Sequence, residues 1–243
     1  MAPRDWRVPD RLARVYTKTE RREEAEKQFA VAANLRQSVD EASRQGIECV
    51  QSLQTRPLEE ARAVCQKLFD PTDPDRLATL GLIYGKEGLH ADALAAFLQA
   101  GRLDPDSFEI QHDLGLSYFR LKRYADARKP LEEAVARRPD FFGSNALLGA
   151  TLYALRDDEA AYPVLDRAHR LKPEDPEAAN LLFKATLSLA LEMYEKKAYA
   201  ESLGYLRKAS ELRPDSPVVQ ARMAEVRRLL GARPEARRGD SRH

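Results

Sequence analysis

Proline recurs at Pro71, Pro105, Pro139 and Pro173, at a constant interval of 34 residues. A fixed period of this length limits the chain to stacked copies of one small unit, because such a unit cannot bury its apolar face alone. The positions between the prolines keep the same step: Leu80, Leu114 and Leu148, then Gly81, Gly115 and Gly149, then Tyr84, Tyr118 and Leu152. Further on come Ala93, Ala127 and Ala161, then Phe97, Leu131 and Leu165, then Ala100, Ala134 and Ala168. Within one copy Leu77, Leu80, Gly81 and Tyr84 have the three-and-four spacing of a helical face, and Ala93, Phe97 and Ala100 form a second such face. Each copy therefore reads as two helices joined by a turn, at Gly85 to His90 in the unit that begins at Pro74. Small residues at the Gly81 and Ala93 steps let the two backbones close in, and a large side chain there would cost roughly 1–3 kcal/mol of overpacking. Asp-Pro, Arg-Pro or Lys-Pro ends the second helix, since the residue before proline is pushed out of the α region.

This spacing of a large residue, Leu-Gly, Tyr, Ala, Phe, Ala and Pro resembles the tetratricopeptide repeat, carried here by Leu77, Leu80, Gly81, Tyr84, Ala93, Phe97, Ala100 and Pro105. The resemblance implies an all-α fold: a right-handed α-solenoid of stacked antiparallel helix pairs. Units 74–107, 108–141 and 142–175 match well, with Leu152 in place of the aromatic in the last. A first unit, 6–39, keeps step through Leu12, Ala13, Tyr16, Ala25, Phe29 and Ala32. Residues 40–73 keep the length and Pro71, but Glu59 and Gln66 stand where alanines belong, so this repeat is degenerate. A shifted face of Leu58, Ala61, Cys65, Leu68 and Phe69 still predicts a second helix there, starting at Pro57. Pro214 follows Pro173 after 41 residues; the seven extra residues are two helical turns, which prolong an apolar face without turning it. The unit 176–216 is therefore expected to have an elongated first helix, about Pro176 to Glu195. Over 217–231 the stripe Val219, Met223, Val226 and Leu230, backed by Arg222, Arg227 and Arg228, reads as a C-terminal capping helix that stops at Gly231. The solenoid thus covers 6–231, and the charged tail 232–243 is expected to be disordered.

Forty basic and 39 acidic side chains leave a net charge of +1, which excludes a whole-molecule field that would draw the chain to nucleic acid or anionic lipid. The most apolar stretch, Leu181 to Met193, is broken by Lys184 and Glu192, so no membrane span is expected. The first residues carry no apolar h-region, and the chain is expected to be cytoplasmic. Cys49 and Cys65 are too few for a secreted disulfide pattern and lack metal-ligand spacing; they read as two buried thiols of a reducing compartment. His90, His112, His169 and His243 fall in separate units, and no phosphate loop, nucleophile elbow or zinc helix is present. No catalytic residue, metal site or cofactor is therefore assigned. The pairs Glu23-Glu24, Glu59-Glu60 and Glu132-Glu133 are neighbours that diverge on a helix, hence solvated. Arg238-Gly239-Asp240 spells an integrin tripeptide by coincidence.

The resemblance also implies that the first helix of each unit lines a concave surface, with its second, fifth, sixth, ninth, twelfth and thirteenth residues pointing inward. In the first unit this selects a basic strip, Arg7, Arg11, Arg14 and Lys18. Further along it selects Leu82, then His112, Leu116, Phe119 and Arg120, then Ala146, Ala150 and Tyr153, then Asn180 and Lys184. An apolar wall of Leu82, Leu116, Phe119 and Tyr153 is expected to anchor an extended or helical peptide, with Arg120, Asn180 and Lys184 holding its polar atoms. Chaperone-tail clamps of this family use Lys and Asn, where this chain has Ala78, Thr79, His112, Asp113, Ala146 and Leu147; that ligand is disfavoured. The expected function is a non-enzymatic scaffold for protein or peptide ligands. The alternative is the targeting or substrate-presenting part of a larger enzyme such as a glycosyltransferase. Nucleic-acid binding through the Arg-rich first helix is disfavoured. The chain is expected to be a monomer, or a weak dimer through the N-terminal repeat face around Trp6, Val8 and Leu12.

Overall fold

The computed structural model describes residues 5–231, and among them all regular structure is helical. The helices are α1 (Arg7–Lys18), α2 (Arg22–Thr55), α3 (Leu58–Cys65), α4 (Pro74–Lys86), α5 (His90–Leu103), α6 (Phe108–Arg120), α7 (Tyr124–Arg137), α8 (Phe142–Ala154), α9 (Asp158–Leu171), α10 (Pro176–Glu195), α11 (Tyr199–Leu212) and α12 (Pro217–Gly231). The described residues fall into two compact units, which divide between Pro105 and Asp106. The expectations for the tail, for Arg238-Gly239-Asp240 and for His243 lie outside the described residues.

The helices form the hairpins α1–α2, α2–α3, α4–α5, α6–α7, α8–α9 and α10–α11, and one turn closes all of these but α2–α3. Glu20, Gly88, Lys122, Arg156 and Lys197 have φ of 61°, 77°, 58°, 63° and 60°. Each sits just past the end of a first helix. The residue after each donates its N–H five positions back: Arg21 to the Tyr16 carbonyl, Leu89 to Tyr84, Arg123 to Tyr118, Asp157 to Leu152 and Ala198 to Met193, all at 2.9–3.0 Å. This closure satisfies carbonyls that the helix end leaves without partners. Helix starts are set by caps: Asp73 accepts from the N–H groups of Asp75 and Arg76, Ser107 from that of Ile110, and Asp175 from that of Ala178. At the corresponding step Phe141 has no capping side chain, and the Asn145 amide instead donates to the Pro139 and Phe141 carbonyls.

In the second unit the small-large code works as steric fit. A Cβ on Gly115 would overlap the Leu131 side chain, and one on Gly149 would overlap Leu165. Ala127, Leu131, Ala161 and Leu165 are fully buried in one core cluster. Helix α10 has 20 residues against 13 in α4, α6 and α8, and its extra length keeps Leu189 and Ala190 in the core. Val219, Met223 and Val226 of α12 bury against Phe183, Ala190, Leu203 and Leu206.

The first unit departs from this plan. Its α4–α5 hairpin follows the code, with the Phe97 ring 2.8 Å from where a Cβ on Gly81 would lie. Before it, α2 runs 34 residues without a break, through the junction expected near 39–40. The proline step one period before Pro71 holds Gln37, so nothing there interrupts the helical hydrogen bonds. Helix α3 is only eight residues long; Ala61, Cys65 and Leu68 are buried, but Leu58, expected on that face, is 41% exposed. Leu12 and Phe29, placed by the code, are likewise exposed. The expectation of two buried thiols holds for the burial and fails for the thiols: Cys49 and Cys65 are both buried, and they form a disulfide that ties α2 to α3, Cα to Cα 4.5 Å. The hairpin turn at Arg56-Pro57 brings the two together, since they lie equally far from Pro57 along the chain.

Candidate functional site

The candidate site is a groove of about 350 Å³ in the second unit. Helix α6 supplies His112, Leu116, Phe119 and Arg120, spaced so that they share one face. Ala146 and Ala150 of α8 form the floor; their small side chains leave the space open. Leu181 and Ala178 of α10 close the far side. The walls are thus mostly apolar, and charge sits at the edges. Arg120 is exposed in the last turn of α6, and Asp175 and Glu177 stand at the start of α10.

His112 is held firmly. Its Nδ1 lies 2.9 Å from the Ser144 hydroxyl, its ring stacks on Phe108 at 6.0 Å, and it meets the edge of Phe141 at 5.4 Å. Burial lowers its pKa, so the neutral ring is favoured. Phe119 packs edge-on against Tyr124 at 5.3 Å, which fixes the ring at the groove mouth. Next to His112, Asp113 is raised to about 6, first by burial and then by the nearby Glu109 carboxylate.

Of the residues selected from sequence, His112, Leu116, Phe119, Arg120, Ala146 and Ala150 meet in this groove. The others do not line it. Tyr153 is half-buried against the core cluster of Leu148 and Leu152. Asn180 accepts a 2.6 Å hydrogen bond from Arg213, and Lys184 is exposed. Leu82, 46% exposed, belongs to the first unit. So does the basic strip: Arg7, Arg11, Arg14 and Lys18 are all exposed on α1, with Arg14 paired to Asp10 at 2.9 Å. Gly143, Leu147, Glu177 and Leu181, which line the groove, occupy the second and sixth positions of their helices and were readable by the same rule. Phe142, Asp175 and Ala178 fall outside it; they enter because the first turns of α8 and α10 border the groove. Among the described residues no group of three His, Cys, Asp or Glu side chains converges as a metal site, and no helix is long and apolar enough to cross a membrane.

With hairpins, turns and groove in view, the chain can be placed. Residues 79–176 carry tetratricopeptide repeats: the family model described as "Tetratricopeptide repeat" matches residues 79–140 and 112–176. Human protein O-mannosyl-transferase TMTC1 is 24% identical over 195 residues, 68% of this chain and 22% of that protein. Human RNA polymerase II-associated protein 3 is 30% identical over 117 residues, 47% of this chain and 18% of that protein. The chain thus spans about a fifth of the length of these relatives. Among solved structures, MamA from AMB-1 superposes with a TM-score of 0.51 at 21% identity, covering 74% of this chain and 96% of that one, which is a likeness of fold.

Proposed function

We propose that the α6–α8–α10 groove holds a peptide or protein segment and that the chain acts as a non-catalytic interaction scaffold. One observation carries this reading: six residues chosen for inward-facing positions converge on a single groove with apolar walls and opposite charges at its edges. A segment that fits would place an apolar side chain between Leu116, Phe119 and Leu181, an acidic group near Arg120 and a basic group near Asp175 and Glu177. The groove contacts are few, so affinity would rest on the apolar anchor. The test is a ligand selected from a displayed peptide library, followed by titration against variants. Phe119→Ala should weaken binding by about 10-fold with an unchanged thermal midpoint, a loss typical of one aromatic anchor. Unaltered affinity in both Phe119→Ala and Leu116→Glu would refute the assignment.

A second reading has the chain as the substrate-presenting part of a larger enzyme. The similarity to the human mannosyl-transferase over only 22% of that protein's length favours it. The mass of the native protein isolated from its source distinguishes the two. Nucleic acid remains a disfavoured ligand. The expected cytoplasmic placement stands against the Cys49–Cys65 bond, since a reducing compartment would keep such a pair as thiols. Alkylation during lysis decides between them: an unlabelled, bonded pair agrees with the structure and argues against that compartment, and labelling of both would favour it.

A further inference from the structure

The first unit carries two surfaces that the groove reading leaves unused. One is the outer face of α1. Val8, Leu12 and Val15 are 46%, 38% and 54% exposed, and their spacing sets them in one stripe. Arg7, Arg11, Arg14 and Lys18 run beside it, while Pro9 and Ala13 on the adjoining face are buried. The other is a cavity of about 860 Å³ between α2 and α4. It exists because α2 does not turn. The stripe Ala32, Leu35, Val39, Ala42, Gly46 and Cys49 recurs with three-and-four spacing, and Ala32 and Cys49 at its ends are buried. Its middle stays open at Val39, 46% exposed, with Ile47 beside it at 59%. The charged groups at this cavity are Asp5, Asp73, Asp75 and Arg76. Arg76 already donates to the Leu68 carbonyl at 3.0 Å, the Lys67 carbonyl at 2.9 Å and the Gln45 side chain at 2.5 Å, and Asp73 caps α4. Carboxylates therefore outnumber cations at the cavity.

We propose that the occupant of this cavity is a second copy of the chain, docked through the outer face of α1. The Val8–Leu12–Val15 stripe would fill the opening along Val39 and Ile47, and its flanking arginines would meet the acidic lip. Shape class and charge sign both match: an apolar ridge with basic edges against an apolar trough with acidic edges. The two surfaces differ, so the contact is heterologous. Each copy keeps one ridge and one trough free to engage further copies, and association propagates with concentration.

Sedimentation velocity of the full chain over a wide concentration range tests this, with Val15→Glu for the ridge and Ile47→Glu for the trough. Both side chains are more than half exposed, so the variants should keep wild-type circular dichroism. Wild-type mass should climb beyond dimer as concentration rises and fall back with added salt. Each variant alone should stay monomeric. An equimolar mixture should form a one-to-one complex and nothing larger, because the intact ridge of Ile47→Glu still fits the intact trough of Val15→Glu. A wild-type monomer at every concentration, self-association by either variant alone, or a mixture that stays monomeric would each overturn the proposal, the last two pointing to a symmetric or different contact.

Discussion

The second unit and the first half of the first unit solve the same packing problem by different means. Where the 34-residue code is intact, a side chain from the second helix drops onto a glycine of the first, Leu131 onto Gly115 and Leu165 onto Gly149. Each hairpin is then held by this fit together with its turn hydrogen bond. At the knob step the degenerate repeat has only Ala63, which is exposed, and its glycine step holds Ile47, also exposed. Its second helix is short and buries only Ala61 and Cys65, with Leu68 buried just beyond its end. A disulfide to Cys49 stands where the bulky knob is missing. The contrast teaches that a repeat can lose its packing code and keep its place if another constraint fixes the two helices. It also shows what that loss exposes: the unturned α2 leaves an apolar trough that a standard hairpin would have closed.

One substitution sharpens this contrast. Leu131→Ala removes a fully buried knob and leaves its glycine notch empty, so it should destabilise the second unit by about 2–5 kcal/mol. Trp6, the single tryptophan, lies in the first unit, so its fluorescence should report an unchanged transition there while far-ultraviolet circular dichroism shows an earlier one. Simultaneous early loss of both signals would mean that the units do not unfold separately.

A smaller effect concerns Asp113, whose folded-state pKa is about 6 against an ordinary aspartate near 3.8. The folded form then binds more protons than the unfolded chain between those values, so stability falls as pH rises through that window and levels off above it. Asp113→Asn removes the cost of the buried charge. It should raise stability at neutral pH by about 1–2 kcal/mol, allowing for the part of the side chain that water still reaches, and flatten the pH dependence. A variant no more stable than wild type at neutral pH would show that Asp113 is solvated or paired.

Much of this was legible in the sequence. The proline interval, the glycine and alanine steps and the seven-residue excess before Pro214 convey hairpins directly, because each is a steric or hydrogen-bonding requirement of a helix pair. The inward-facing positions likewise find one wall of the groove in α6. What escaped were tertiary choices. Asn180 sits at an inward position, yet Arg213, the residue that follows α11, engages it. Tyr153 turns to the core because Leu148 and Leu152 offer it an apolar surface. The continuity of α2 had a local sign in Gln37 at the proline step. The disulfide had one in two cysteines flanking Pro57 symmetrically, but equal spacing about a turn becomes contact only once the turn is known to be tight.

Peptide-resolved amide hydrogen exchange on the oxidised and the reduced protein tests the central claim most directly. A disulfide closing a 16-residue separation should contribute about 3 kcal/mol. Reduction should therefore strip protection from α3 and the second half of α2, while α6 to α11 keep theirs. Equal protection in both states, or a loss spread evenly over both units, would contradict the view that the second unit is held by its repeat code and the α2–α3 pair of the first by its staple.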